Sequence, residues 1–121
     1  MSKRILVVDD DELILIALGE LLRPQGYDVS TEPSPLVALE RLQQESFDLL
    51  ILDVIMPQMD GFELCRRIRE MEKHKDTPII FLTAKSRDQD RERGLEAGAN
   101  LFLSKPISPE RLLALIAEAV G

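Results

Sequence analysis

Four short apolar runs end in side chains that could do chemistry together. Ile5–Val8 leads into Asp9, Asp10 and Asp11, and Leu49–Leu52 into Asp53. Ile79–Leu82 leads into Thr83, and Leu101–Leu103 into Ser104, Lys105 and Pro106. Singly, most of these have ordinary explanations. Aspartates cap helices and complement their dipoles, a threonine closes a turn, and a lysine sits in water. Asp53 is harder to explain so, because it closes a wholly apolar segment where desolvating a carboxylate is costly. If the four runs are strands of one sheet, three acids, a hydroxyl and an amine collect at one of its ends. Carboxylates that close repel, so one takes a proton or a cation neutralises them. The donors are all oxygen, which suits a hard ion, and Mg2+ bound by one or two carboxylates plus waters is the natural choice. Such a hollow can admit a phosphoryl group, with Lys105 pairing one oxygen and Thr83 donating to another. An aspartate, with a pKa of about 3.9, is already ionised at neutral pH and needs no general base to act as nucleophile. The single histidine, His74, lies in the charged run Glu72-Lys73-His74-Lys75-Asp76 and is expected to be exposed and inert.

The elements that must position these residues can be read from the same sequence. Ile5–Val8, Leu49–Leu52 and Ile79–Leu82 show no polar alternation, as strands buried on both faces do. Tyr27–Ser30 and Leu101–Leu103 are weaker and suit edge strands. Between them lie helical patterns. Ile14, Ala17, Leu18, Leu21 and Leu22 share one helical face, and Leu36, Leu39 and Leu42 another. Phe62, Cys65, Ile68 and Arg69 mark a third helix, and Leu112, Leu113, Ile116, Ala119 and Val120 a fifth. Ser34-Pro35 and Ser108-Pro109 place serine at the N-cap and proline at the first helical position. Asp60 with Glu63 resembles a capping box, and Gly26 and Gly98 fall at helix stops. The fourth helix, from Arg87 to Gly98, offers only Leu95 and Ala97 as apolar anchors, so it should be loosely held. Five strands alternating with five helices predict an α/β fold, a three-layer (βα)5 sandwich with a parallel five-stranded sheet. Right-handed crossovers and this size favour the flavodoxin-like order 2-1-3-4-5, with ligands beyond the carboxyl ends of the strands.

Composition narrows the possibilities. The 121 residues suit one domain, residues 1–121, and 45% apolar with 31% charged residues is ordinary for a globular chain. A net charge of −7 disfavours non-specific binding to nucleic acid or to anionic lipid. One cysteine, Cys65, excludes an intrachain disulfide and a cysteine-based zinc site. No apolar run reaches membrane-spanning length, and the start meets acid at Asp9 too soon for a signal peptide. A cytoplasmic location is therefore expected.

The segments Ile5-Leu6-Val7-Val8-Asp9-Asp10-Asp11, Asp53-Val54-Ile55-Met56-Pro57-Gln58-Met59-Asp60-Gly61, Thr83-Ala84-Lys85 and Lys105-Pro106 resemble the receiver domain of two-component response regulators, of which the chemotaxis regulator is an example. The resemblance runs across the whole chain. It implies that Asp53 is a phosphoacceptor, served by a sensor histidine kinase or a histidine phosphotransfer protein. It implies that Asp9 and Asp10 hold Mg2+, with Asp10, Asp53 and the Ile55 backbone carbonyl as ligands. Thr83 and Lys105 would be the switch hydroxyl and the phosphate-pairing lysine, Phe102 the switch aromatic, and Lys105–Pro106 a cis peptide. Phosphorylation, adding about −1.5 to −2 charges, would draw Thr83 and Lys105 inward and turn Phe102 in. It would thereby remodel the face of helix four, strand five and helix five for an output domain, a downstream effector or a second copy. The resemblance implies a phosphoacceptor rather than an enzyme, with no direct nucleic-acid or membrane binding by this domain.

Three other readings compete, one of them a receiver that works unphosphorylated as a docking domain, against which the complete set of site residues argues. An aspartyl-phosphate phosphatase of the haloacid-dehalogenase type also uses Asp, Thr, Lys and Mg2+. It needs a second acid two residues after the nucleophile, where Ile55 stands, and a cap domain for which 121 residues leave no room. A nucleotide- or flavin-binding module needs a Gly-rich phosphate cradle after the first strand, the opposite of Asp9-Asp10-Asp11. Ile55 and Lys85, each two residues after a site residue, also bear on phosphoaspartate lifetime. Ile55 cannot orient an attacking water, which predicts slow self-hydrolysis.

Overall fold

In the computed structural model, which describes residues 2–121, five strands alternate with five helices. They are β1 (Arg4–Val8), α1 (Glu12–Leu22), β2 (Asp28–Glu32), α2 (Pro35–Gln44), β3 (Leu49–Leu52), α3 (Gly61–Glu70), β4 (Ile79–Thr83), α4 (Asp88–Ala97), β5 (Leu101–Ser104) and α5 (Pro109–Val120). The sheet is parallel throughout, in the order β2-β1-β3-β4-β5, as the sequence pattern predicts.

The unbroken apolar strands follow from burial on both faces. Leu6, Val8, Leu50, Leu52, Phe81 and Phe102 pack beneath α2, α3 and α4, while Ile5, Val7, Ile51, Ile80, Leu82 and Leu103 pack against α1 and α5. Successive residues thus serve opposite layers, the period-two rule with apolar residues on both sides. Ser34, Asp60 and Ser108 each accept a backbone N–H at a helix start. The box expected at Asp60 is half made, because Glu63 turns instead to Arg66 and Arg67.

Several expected helix faces are rotated. α2 buries Pro35, Ala38 and Leu42, and Leu36 is exposed. Residues spaced by three drift about 60° per step round a helix, so Leu36 lies about 120° from Leu42. Likewise α1 buries Leu15, Leu18, Gly19 and Leu22, with Ile14 and Leu21 at the margin and Ala17 exposed. On α4 Leu95 is exposed, and the buried positions are Asp90, Gly94 and Ala97.

His74 is the clearest correction, being completely buried. It ends a single 3-10 turn, Glu72–His74, that points it beneath the C-terminal end of α2. Its Nε2 lies 3.0 Å from the Leu42 carbonyl oxygen and 3.3 Å from that of Glu45, and Nδ1 lies 3.2 Å from Thr77 Oγ1. With its proton on Nε2 the ring serves carbonyls that the helix leaves free, and Nδ1 takes the Thr77 hydroxyl. Its charged neighbours in sequence are exposed while the imidazole is spent on structure.

Candidate functional site

Parallel register carries the chemistry to one end of the sheet. Val8 of β1 pairs with Leu52 of β3, so the next residues, Asp9 and Asp53, emerge side by side. The Asp53 N–H donates to Val8 O at 3.0 Å and fixes this alignment. Thr83 ends β4 opposite Ser104 of β5, and the Lys105 N–H donates to Thr83 O at 2.8 Å. Four strand ends therefore deliver Asp9, Asp53, Thr83 and Lys105 to one end of the sheet. Asp10, exposed at the start of the β1–α1 loop, completes the group: one oxygen from each of Asp9, Asp10 and Asp53 lies within 4.8 Å of the others.

Hydrogen bonds orient these groups. Asp9 Oδ1 accepts the Asp11 N–H at 2.9 Å, and Asp11 itself caps α1 by accepting from Leu13 N–H. Asp53 Oδ1 accepts the Val54 N–H at 2.8 Å. The other oxygens face Lys105 Nζ, at 2.8 Å for Asp9 Oδ2 and 3.4 Å for Asp53 Oδ2. The Lys105–Pro106 bond is cis. Thr83 is fully buried, and its hydroxyl oxygen accepts the Lys85 N–H at 3.2 Å.

The electrostatics are strained by design of the cluster. Burial pushes the Asp9 carboxyl above its ordinary value, and the Asp53 charge adds to this, against the opposing Lys105 and Asp11 hydrogen bonds. Burial works against the Lys105 charge too, yet the hydrogen bond to Asp9 and the fields of Asp53 and Asp9 hold its pKa above the usual lysine range. One ammonium among three acids leaves a surplus of negative charge. The all-oxygen donor set of Asp9, Asp10 and Asp53 suits a hard divalent cation such as Mg2+.

The β3–α3 loop closes beside Asp53. Gln58 has φ 73° within a three-residue turn closed by the Met59 N–H to Pro57 O at 2.8 Å, the rarer and more strained γ form. The chain returns at Gly61, whose N–H donates to Val54 O at 2.8 Å. A Cβ on Gly61 would lie 2.1 Å from the Asp53 carbonyl oxygen. Sequence reasoning placed Gly61 in a motif without this role; a glycine at a first helical position after an N-cap was the available signal. Ile55 projects from the same loop with its side chain more than half exposed.

Phe102 differs from expectation. Its ring is already inside, 2% exposed, 5.7 Å from Phe81, which is 5.7 Å from Phe62. Room for it comes from Gly94 on α4, where a Cβ would meet Phe102 Cδ2 at 2.7 Å. Arg91 also holds it, with its guanidinium 5.8 Å from the ring centroid and Nη1 donating to Phe102 O at 3.1 Å. An inward turn is thus not open to the ring from this conformation.

Comparison with known proteins agrees with this arrangement. The profile of the response regulator receiver domain family matches residues 5–117. The chain is 41% identical over 116 residues to the alkaline phosphatase synthesis transcriptional regulatory protein PhoP of Bacillus subtilis, covering 96% of this chain and 48% of PhoP. It spans about half the length of that relative and of the response regulator MprA of Mycobacterium tuberculosis, 49% of which it covers. Among solved structures, the chemotaxis response regulator CheY4 of Vibrio cholerae superposes with a TM-score of 0.93 at 34% identity, covering 98% of this chain and 99% of CheY4. The receiver domain of the sensor histidine kinase PA1611 from Pseudomonas aeruginosa has a TM-score of 0.92 at 30% identity, covering 100% and 99% of the two chains. Its structure holds a magnesium ion coordinated in the active site cleft.

Proposed function

The chain belongs to the response regulator receiver domain family, and on that footing we propose that residues 1–121 form one receiver domain in which Asp53 accepts the phosphoryl group. The convergence of Asp9, Asp10 and Asp53 with Lys105 at one strand end carries this reading. The donor is a phosphohistidine on a sensor histidine kinase or a histidine phosphotransfer protein. An Asp53 carboxylate oxygen attacks phosphorus, the P–N bond breaks, and the imidazole nitrogen keeps the electron pair and is protonated. Val54 N–H fixes Oδ1, which leaves Oδ2, turned toward Lys105, as the more available oxygen. Lys105 then pairs with a phosphoryl oxygen, and the Thr83 hydroxyl donates to another.

Asp9, Asp10, Asp53 and the backbone carbonyl of Ile55 would hold Mg2+. The ion supplies positive charge that offsets the acid cluster and the incoming phosphoryl oxygens. Thr83 and Phe102 are the switch pair. With Phe102 already packed inward, the change lies in what covers it, namely α4, rather than in a swing of the ring. The face of α4, β5 and α5 is the surface presented to an output domain, a downstream effector or a second copy.

The domain on this reading carries phosphate without turning over a substrate, apart from slow loss of its own phosphoryl group. A phosphatase of the haloacid-dehalogenase type has no support beside the family assignment, and Ile55 occupies the place of its second acid. The setting is taken as cytoplasmic; among the described residues no helix is long and apolar enough to cross a membrane. Acetyl phosphate with Mg2+, followed by intact mass, tests the reading. Wild type should gain one phosphoryl group and Asp53→Asn none. Equal gain by both, or steady hydrolysis of a phosphate ester, would overturn it.

A further inference from the structure

The β1–α1 loop is built from two hydrogen-bonded turns of the same kind, one following the other. Asp9 Oδ1 accepts the Asp11 N–H at 2.9 Å, and Asp11 Oδ1 accepts the Leu13 N–H at 3.0 Å. In each, an aspartate side chain holds the backbone two residues on, as aspartate readily does at turns. The two odd-numbered acids are thereby spent on the loop. Asp9 is also pinned to β2, since its own N–H reaches Glu32 O at 3.3 Å, and its Oδ2 meets Lys105 Nζ at 2.8 Å. Asp11 is pinned by the helix it starts. Its backbone is extended, with φ −87° and ψ 106°, and its carbonyl accepts the Ile14 and Leu15 N–H groups at 3.1 and 3.2 Å.

Asp10 stands between them and is different. It is exposed, and among the described residues its carboxylate has no hydrogen-bond partner and no cation within 4.0 Å, whereas Asp9 and Asp53 both face Lys105. Yet one of its oxygens lies within 4.8 Å of oxygens of Asp9 and Asp53. Like charges this close repel, and an exposed side chain without ties can swing into water to escape. What limits that freedom is the backbone on either side. The Asp9 end is held by the sheet. The Asp11 end is held by the first turn of α1, whose side-chain tie is the Asp11 carboxylate.

We propose, resting on the reading of Asp9, Asp10 and Asp53 as Mg2+ ligands, that Asp11 is a positioning residue for the ion, acting through its cap on α1 and not through its charge. With the cap made, the loop is closed before the ion arrives and Asp10 faces the cluster. Without it the first turn of α1 frays, Asp10 moves away from its repelling neighbours, and binding must first close the loop. The apparent affinity then falls by the fraction of molecules in which the loop is closed. The charge of Asp11 counts for little toward the ion. The group is exposed to screening solvent, and its carboxylate is turned to the first amides of α1, whose positive end it offsets.

Substitutions at this one position separate cap from charge. Asp11→Asn and Asp11→Ser keep a capping oxygen and lose the charge. Asp11→Glu keeps the charge on a longer stem that is not a good cap, and Asp11→Ala loses both. Calorimetric titration of the chain with Mg2+ alone should give wild-type dissociation constants for the Asn and Ser variants. The Ala and Glu variants should bind about fivefold more weakly, the factor that a helix cap is typically worth. Ser34→Ala is the control for stability, since it removes the matching cap of α2, where Ser34 Oγ accepts the Val37 N–H at 3.2 Å. It should lower the urea midpoint about as much as Asp11→Ala does and leave Mg2+ binding unchanged. An Asp11→Ala protein that loses stability yet binds Mg2+ as wild type does would overturn the positioning role. So would weak binding by the Asn and Ser variants beside normal binding by Glu, which is the signature of charge. Amide exchange without the ion separates this role from the ion assignment. The N–H of residue 11, held by Asp9 Oδ1, should exchange about fivefold faster in the Ala variant than in the Asn variant, and equal exchange would defeat the cap's hold on the loop. A wild type that binds no Mg2+ overturns the ion assignment, whatever the exchange shows of the loop.

Discussion

Gly61→Ala sets two local rules against each other, and the structure decides the sign. Gly61 opens α3, and alanine is the better helix former, by up to about 1 kcal/mol in a helix interior and less at the first position. Its backbone is not in the left-handed region, so alanine meets no torsional objection. Space is the objection. The added Cβ would lie 2.1 Å from the Asp53 carbonyl oxygen and 2.9 Å from Phe81 Cε1, where ordinary contact begins at 3.4 Å. The nearest contact must therefore open by about 1.3 Å, and the obstacle is strand-end backbone rather than a flexible side chain. Overpacking of this kind costs about 1–3 kcal/mol. The shift also stretches the bond from Gly61 N–H to Val54 O, worth about 1 kcal/mol. Net of helix propensity, a loss of about 2 kcal/mol is expected. For a domain of this size that lowers Tm by roughly 8 °C. Urea unfolding measures the loss, and uptake from acetyl phosphate should slow because the backbone carrying the Asp53 carboxylate has moved. Gly26→Ala is the control: there φ is 93° with nothing within 4 Å of the added atom. It should cost about 1 kcal/mol through the backbone alone and leave uptake intact. A Gly61→Ala protein as stable as wild type, with normal uptake, would refute the close-approach argument.

His74→Ala should cost about 2–4 kcal/mol in urea unfolding, by leaving carbonyls unserved and a cavity behind; phosphoryl uptake by the folded protein should not change, because His74 lies at the opposite end of β4 from Thr83. Cys65, with its thiol pushed up to about 11 by burial, should resist iodoacetamide in the native protein at mildly alkaline pH and react once urea unfolds the chain; rapid native labelling would contradict its packing. The folded pKa of Asp9 is raised, so the favourable contribution of this group is complete below its unfolded value and is lost as pH rises through the folded one. Protons and Mg2+ therefore compete for the cluster, and the Mg2+-induced gain in urea midpoint should shrink from about pH 7 to about pH 4; an undiminished gain would place the ion elsewhere. The phosphorylated domain should lose its phosphoryl mass slowly and Ile55→Asn should quicken the loss, whereas rapid loss unaltered by that change would remove Ile55 from the argument.

The sheet and the site were legible for one reason. A strand covered on both faces shows an unbroken apolar run, and in a parallel sheet the residue after each run lies at the same end. Asp9, Asp53, Thr83 and Lys105 are placed by that topology before any side chain is considered. Helix faces were less legible, because spacing by three suggests a stripe that drifts, and Leu36 was misread for that reason. The misread residues on α4 and at His74 share another cause. Asp90 and His74 are polar, so hydropathy assigns them to water, and Arg69, though it marks the third helical face, carries no sign of what it would bind. Each instead spends its polar atoms on backbone groups that helix ends leave unpaired: Asp90 on the Arg87 N–H, Arg69 on Gly98, His74 and Thr77 carbonyls, His74 on those of Leu42 and Glu45. Such demand is visible in a sequence only as a count of helix ends, and which side chain meets it depends on how the helices dock. The orientation of Phe102 is hidden in the same way, since it depends on a missing Cβ at Gly94 on another element. The residues proposed to do the chemistry are thus set by strand topology, which sequence periodicity reports. Those that close the ends of α2 and α4 are set by how the helices dock, which it does not.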